Sequence, residues 1–516
     1  MCQSPLSVLC SVRSYARECG VCRRPPAPPL EREACLLTQD DVLYMIVTDR
    51  FSDGDPTNNR DPDPGHAERR HGGDLRGIIS RMPYLVGLGV TTVWITPVYP
   101  NPPAGYHGYH PLDFDGVDPA LCSPELGPDG SRGTVRRFVQ AAHRHGLKVM
   151  LDLIVCHTAP GHPWLTECPE WFNPNQNTPE KWWVWGLPDL NHDRLDVNEY
   201  FARNVLDWIG ETGADAIRLD AARHIEAAFW PVFQLLVRGP HPDVTVVGEV
   251  WDPDANVVAP YQTRHGFDSM FDFPLYHALV DVFAGDAGCE RLARPELSDS
   301  EAPGVLNRDN LYRNPNQLVT FLGNHDTTRF FHLAGGAERP DEAMARMRLA
   351  LTFLFTTRGI PHLYYGDELP LEGGPHPDNR RDMPWERVNV PDPADPATCR
   401  AVVMRRHAQS LIYTRRRSPA LRYGLSTTLF VTRTLFVFCR AFLDDVRIVV
   451  LNPADARAEF LLPLHANPRL PTRARAVLHD GAELTDELSP HVRFGVADGA
   501  VRLSVPARSG LILRPT

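Results

Sequence analysis

No uninterrupted apolar stretch in these 516 residues approaches the ~18 that a membrane-spanning helix requires, and the richest run, Leu349–Phe355, is short and amphipathic. A membrane partner is therefore not expected. Positive charge is also in deficit. Fifty-three basic side chains face 64 acidic ones, for a net charge of −11. Nucleic acid, whose binding needs a basic surface, is set aside on that ground, and a neutral substrate suits the balance. No internal repeat is evident. The eleven cysteines are an odd number, and five of them (Cys2, Cys10, Cys19, Cys22, Cys35) crowd the first 35 residues. Cys19-Gly-Val-Cys22 has C-x-x-C spacing but no second pair and no strand–helix context, so the thiols read as incidental. The apolar part of the N-terminus, Leu6–Cys10, is too short for a signal peptide, and arginines follow rather than precede it. A reducing, cytoplasmic setting and a monomer are the expectations. The histidines are scattered singly, without paired ligand spacing, and give no sign of zinc catalysis.

What is present is a set of carboxylates at the ends of apolar runs. Asp220 ends Ala214–Asp220, Glu249 ends Val244–Glu249, and Asp326 ends Val319–Asp326. A carboxylate just past a buried strand is costly unless it faces an open site. In a parallel barrel that site is the C-terminal rim. Acids converging there suit a reaction that needs an acid, a nucleophile and charge stabilisation, of which glycoside hydrolysis is the leading example.

The chain pattern supplies such a barrel. Between about 40 and 368, strand-like runs (42–49, 90–97, 147–155, 215–220, 244–249, 269–273, 318–325, 360–365) alternate with helical stripes. The stripes include Val135/Phe138/Val139/Ala142, Phe201/Val205/Trp208/Ile209 and Met344/Met347/Leu351/Leu354. Eight βα units predict an α/β fold, a TIM (β/α)8 barrel, over residues 39–423. Residues 1–38 read as a poorly ordered extension. Residues 157–197, rich in Trp, Pro and Asn, read as an excursion domain after the third strand. Their tryptophans Trp182, Trp183 and Trp185 serve either as a sugar-stacking platform or as a mini-core. Short strand-like runs after Tyr423-Gly424 predict a C-terminal antiparallel β domain, a β-sandwich over 424–516. Arg415-Arg-Arg417 closes the last barrel helix, where cations complement the helix dipole.

Several motifs in order carry a resemblance: Asp152-Leu-Ile-Val-Cys-His157, Gly213-Ala-Asp-Ala-Ile-Arg-Leu-Asp-Ala-Ala-Arg-His224, Gly248-Glu249 and Phe321-Leu-Gly-Asn-His-Asp326. Gly186-Leu-Pro-Asp-Leu-Asn191 and Gly359-Ile-Pro-His-Leu-Tyr-Tyr-Gly-Asp-Glu368 add to them. Over about 40–516 the chain resembles the α-amylase family of glycoside hydrolases. The resemblance implies Asp220 as nucleophile, Glu249 as general acid/base and Asp326 as the third, transition-state carboxylate. It implies His107, Tyr109, His157 and His325 against the sugar, with Arg218 holding Asp220 charged from the same face of its strand. Arg223 and His224 fall on the leaving-group side, where Arg223 replaces a customary lysine.

The loop Asp53-Gly-Asp55-Pro-Thr-Asn58-Asn59, with Gly72-Gly-Asp74, gathers hard oxygen ligands. Composition alone is equally satisfied by an Asp/Asn/Gly turn, and the resemblance decides for one structural Ca²⁺ on Asp53, Asp55, Asn58, Asn59, Gly72 and Asp74. Cys156 stands where the family usually has an asparagine that binds a second calcium together with Asp189 and the His224 carbonyl. A thiol is a poor calcium ligand, so that second site is not expected. The implied activity is retaining hydrolysis of α-1,4 bonds in starch or maltodextrin. The alternatives are a cyclodextrin/maltodextrin hydrolase or a 4-α-glucanotransferase. A barrel relative without catalysis would lack a carboxylate or carry a membrane anchor, and the sequence shows neither.

Overall fold

A strand covered on both faces has no reason to alternate polar and apolar residues. The computed structural model describes residues 36–127, 130–176, 178–294, 302–389 and 395–516, and it contains eight such strands. They are β1 (Leu43–Ile46), β2 (Thr92–Ile95), β3 (Lys148–Leu153), β4 (Ala216–Leu219), β5 (Thr245–Gly248), β6 (Ser269–Met270), β7 (Val319–Phe321) and β8 (Ile360–Tyr364). Every residue in them except Lys148 is buried. All pairings are parallel, in the order β6-β5-β4-β3-β2-β1-β8-β7. A parallel bridge between Phe271 and Val319 joins the two ends and closes the barrel. The expected (β/α)8 architecture is therefore present, with strands inside the sequence ranges that predicted them. The five cysteines of the N-terminal extension lie outside the described residues.

The helical stripes do what their spacing demands. Val135, Phe138, Val139 and Ala142 lie on the helix Arg132–Arg144, and Phe201, Val205, Trp208 and Ile209 on Leu195–Thr212; all are buried in the barrel core. Met344, Met347, Leu351 and Leu354 do the same on Pro340–Thr356.

The excursion after β3 has little regular structure. Short helical turns (Trp164–Glu167, Pro169–Trp171) and two antiparallel bridges, His157–Asp189 and Phe172–Leu190, order it internally. Its apolar anchor is aromatic. Trp164 stacks on Phe114 at 5.4 Å and meets Trp171 and Tyr200 at 4.9 Å each.

Beyond Gly424 come β9 (Leu425–Thr432), β10 (Leu435–Phe442), β11 (Asp445–Asn452), β12 (Ala458–Pro463), β13 (Glu483–Asp486), β14 (Arg493–Ala497), β15 (Ala500–Val505) and β16 (Ser509–Pro515). They pair antiparallel in one order, β12-β15-β14-β13-β16-β11-β10-β9. The period-2 rule divides their side chains. Val437, Cys439, Ile448 and Val450 join Leu462, Leu484, Leu503 and Leu513 in a core of their own. The alternate residues Phe436, Phe438, Val449 and Leu451 belong to the barrel core. Phe353 of the helix Pro340–Thr356 lies 6.1 and 6.0 Å from Phe436 and Phe438.

Arg415 is more than a dipole partner. It is fully buried and donates to the carbonyls of Phe355, Thr357 and Gly359, capping the end of the helix Pro340–Thr356.

Candidate active site

β4 carries Arg218 and, two residues on, Asp220 on the same face. The register sets Arg218 beside Asp152 of β3 and Val247 of β5. The barrel ladder continues one residue past each strand, with Asp220 N donating to the Leu153 carbonyl and Glu249 N to that of Leu219. The two carboxylates are thereby fixed at the C-terminal rim by main chain.

Arg218 has no solvent exposure, and its guanidinium is shared among three acids. Nη1 donates to Asp152 Oδ1 at 2.8 Å and Asp220 Oδ1 at 2.6 Å, and Nη2 pairs with Glu249 Oε2 at 2.7 Å. Three carboxylates this close compensate the cost of burying the cation. Asp152 is held in turn by Trp94 Nε1 at 3.0 Å and by Tyr109 OH at 2.6 Å. Glu249 also accepts from the Ala221 amide at 3.0 Å. To present that amide Ala221 adopts φ +44°, a left-handed conformation that costs a residue with a Cβ.

Electrostatics separates the acids. Burial pushes Glu249 up to about 7, with the charges of Asp220 and Asp326 adding to the rise and Arg218 opposing it. Burial alone would also raise Asp326, but His325, Arg380 and Arg218 outweigh it and hold that carboxyl well below the usual range. His325 Nε2 and Arg380 Nη2 each lie 3.0 Å from an Asp326 oxygen. Near neutral pH one acid thus keeps a proton where its neighbour does not, the condition for general acid catalysis.

These groups open on a cleft of about 810 Å³. Nine of the ten expected catalytic and sugar-contacting residues line it: Asp220, Glu249, Asp326, His107, Tyr109, His157, Arg223, His224 and His325. Arg218 lies beneath its floor. Tyr109 stacks on His325 at 4.9 Å with planes 4° apart, and burial keeps His107 neutral by lowering its basicity. Arg223 Nη1 pairs with Asp252 at 2.7 Å, and His224 Nδ1 lies 2.6 Å from the Pro179 carbonyl on the excursion. The tryptophans divide. Trp183 is tied to the Asn173 carbonyl through Nε1, whereas Trp182 and the 83%-exposed Trp185 line the cleft.

Sequence reasoning did not assign Asp152, Trp94 or Arg380 to the site, nor Trp251, which also lines the cleft. Asp152 opens the Asp152–His157 motif inside β3, but nothing in its spacing shows that it holds Arg218. Arg380, on the loop after β8, carried only its place on the catalytic rim.

The Asp53–Asn59 loop and Asp74 lie outside the cleft lining. Asp74 caps the helix Leu75–Leu88 by accepting from Gly77 N, and it accepts from Gly54 N, Asp55 N and Asn58 Nδ2 as well. Asp55 accepts from Thr57 and Asp53 from Asn59 Nδ2. Within this set Asn58 Oδ1 and Asn59 Oδ1 are buried without a partner. Gly72, at φ +100°, leaves room for Asn59 that a Cβ would fill at 2.6 Å from Oδ1. Two orphaned amide oxygens amid carboxylates fit a hard cation. At the other position Cys156 Sγ faces His157 and Asp220, while Asp189 accepts from Asn173 and is pushed up to about 8 by burial.

Comparison with known proteins bears on the whole barrel. Residues 45–187 and 181–405 match the family described as "Alpha amylase, catalytic domain". A cyclomaltodextrinase of Thermoanaerobacter pseudethanolicus is 31% identical over 455 residues, covering 82% of this chain and 72% of that protein. A cyclomaltodextrin glucanotransferase of Bacillus sp. (strain 38-2) is 28% identical, covering 80% of this chain and 59% of its own length. Among solved structures, an α-amylase of Anoxybacillus superposes with a TM-score of 0.79 at 30% identity, covering 94% of this chain and 99% of that one.

Proposed function

The chain belongs to the α-amylase family of glycoside hydrolases, and on that premise we propose that it is a retaining α-glucan hydrolase. Its substrates are α-1,4-linked starch or maltodextrin chains, and Asp220 forms the covalent glycosyl-enzyme. The observation that carries this reading is the single guanidinium of Arg218 shared by Asp220 and Glu249. Ion pairs to neighbouring nitrogens of one group keep the two carboxylates close, as a retaining pair must be. Asp220, ion-paired, attacks the anomeric carbon as Glu249 passes its proton to the leaving oxygen. Glu249 then takes a proton from water, which releases the sugar with its configuration kept. Asp326, held ionised by His325 and Arg380, stabilises positive charge on the ring in both steps. Asp53, Asp55, Asn58, Asn59 and Asp74, with the Gly72 carbonyl, would hold one calcium ion, whose contribution is to join the first βα loop to the segment after it.

A second reading has its own support. Curated relatives are named for cyclomaltodextrinase and cyclomaltodextrin glucanotransferase activity, and the same residues serve when a cyclic substrate is opened or a sugar hydroxyl replaces water. Product analysis on soluble starch and on β-cyclodextrin, with the anomer followed by NMR, tests both. Initial release of the α-anomer from starch supports the first reading. Faster turnover of β-cyclodextrin, or longer products from short donors, favours the second. Initial release of the β-anomer would overturn retention.

A further inference from the structure

One wall of the cleft brings together three donor atoms of mixed softness: Cys156 Sγ, His157 Nδ1 and Asp220 Oδ2. Sγ lies 3.1 Å from Nδ1 and 3.9 Å from Oδ2, and Nδ1 lies 3.9 Å from Oδ2. All three fall within 4.8 Å of one another. Tetrahedral zinc, with bonds of about 2.0–2.3 Å, sets its donors about 3.5 Å apart. The triangle therefore has the size of one face of such a site.

Two of the three donors are also oriented by a partner behind them. His157 Nε2 is 3.0 Å from the Tyr109 carbonyl, which fixes the ring proton there and leaves Nδ1 bare. Arg218 occupies Asp220 Oδ1 and leaves Oδ2 toward the cleft. A histidine steadied through its far nitrogen by a backbone carbonyl is the usual support of a metal-binding imidazole. The cleft leaves the fourth position to water. The cysteine stands where the resemblance leads one to expect an asparagine, and it adds a soft ligand to the wall.

We propose that Cys156, His157 and Asp220 form a three-ligand site for a thiophilic divalent cation of the zinc class, and that its occupation reversibly blocks the enzyme. On binding, the Cys156 S–H bond breaks, a sulfur–metal bond forms, and one proton leaves to solvent; no electron is transferred. Burial pushes the pKa of the Cys156 thiol up, with Asp220, Asp189 and Glu249 adding to the rise and Arg218 opposing it. Calcium, a hard cation, does not compete for the sulfur. The effect on activity rests on the reading of Asp220 as nucleophile; the binding does not.

The test uses the full chain, stripped of transition metals and resupplied with calcium. Cobalt(II) added to one equivalent should give a thiolate-to-cobalt charge-transfer band that Cys156→Ser and Cys156→Asn lack. X-ray absorption of the wild type with one equivalent of zinc should read one sulfur, one nitrogen and oxygen neighbours. Zinc should inhibit the wild type. Against each variant's own metal-free rate, half-inhibition should need at least tenfold more zinc. A flat cobalt difference spectrum between wild type and Cys156→Ser, or an all-oxygen or two-sulfur zinc shell, overturns the site. A band without inhibition upholds the site and overturns the nucleophile assignment.

Discussion

At the scale of single residues, Arg218 governs the site because three acids depend on it. Replacing it with methionine would strand those carboxylates in the barrel core. We expect a loss of about 3–5 kcal/mol, the typical cost of breaking a buried ion pair, read as a fall in denaturation midpoint; a midpoint within 1 kcal/mol of wild type would show that the acids are solvated. Asp220→Asn keeps the shape and removes the nucleophile, so kcat on maltodextrin should drop at least about a thousandfold, or about 4 kcal/mol. A residual rate above a tenth of wild type would refute the assignment. Glu249 is raised to about 7, so kcat/KM should decline as pH climbs through that value and the proton is lost. Glu249→Gln should lose far less on an activated aryl glycoside than on maltotriose in the glycosylation step, and equal losses would argue against the acid role. Much of this was legible in the chain, because a charged residue ending an apolar run is conspicuous. Asp152 and Trp94 were not, because their task is to hold Arg218 and Tyr109, and such support depends on register between strands rather than on spacing within one.

Among elements, legibility followed burial. The barrel strands are covered on both faces and read as unbroken apolar runs. Of the later strands, β12, β14 and β15 keep a solvent-facing side, as in Glu459, Arg493 and Arg502. Their short mixed patterns did not separate from turns. Two predictions belong here. Arg415→Met should remove the hydrogen bonds to three buried carbonyls at the end of the helix Pro340–Thr356 and cost about 2–3 kcal/mol, measured by chemical denaturation. Its triple-arginine setting predicted only a dipole role, because what it caps belongs to another helix. The Asp53–Asn59 loop should respond to calcium. A ligand bound only by the folded state contributes about 2.7 kcal/mol at a hundredfold excess over Kd, so chelation should lower Tm and added calcium restore it. Asp53→Ala should behave like the chelated protein. Metal analysis finding no calcium would remove the site, and two tightly held ions would show that the cysteine at position 156 does not exclude the second.

Considered whole, the molecule has no clean seam between barrel and C-terminal sheet, since residues of β10, β11 and β16 complete the barrel's own core. Among the described residues no helix is long and apolar enough to cross a membrane. The shared core predicts one calorimetric transition covering both parts, and removal of residues 424–516 should yield a chain that aggregates instead of a free barrel. The order of the sheet adds a consequence for synthesis. β16 is the last of its strands to leave the ribosome, yet it sits in the middle, between β13 and β11. Until it arrives, β9–β11 and β12–β15 have no common partner, and the helix Pro340–Thr356 waits with its apolar side only partly covered. The final assembly step therefore falls after translation of the sheet is finished, during an interval when the nascent chain presents both an unfilled strand slot and bare aromatic surface.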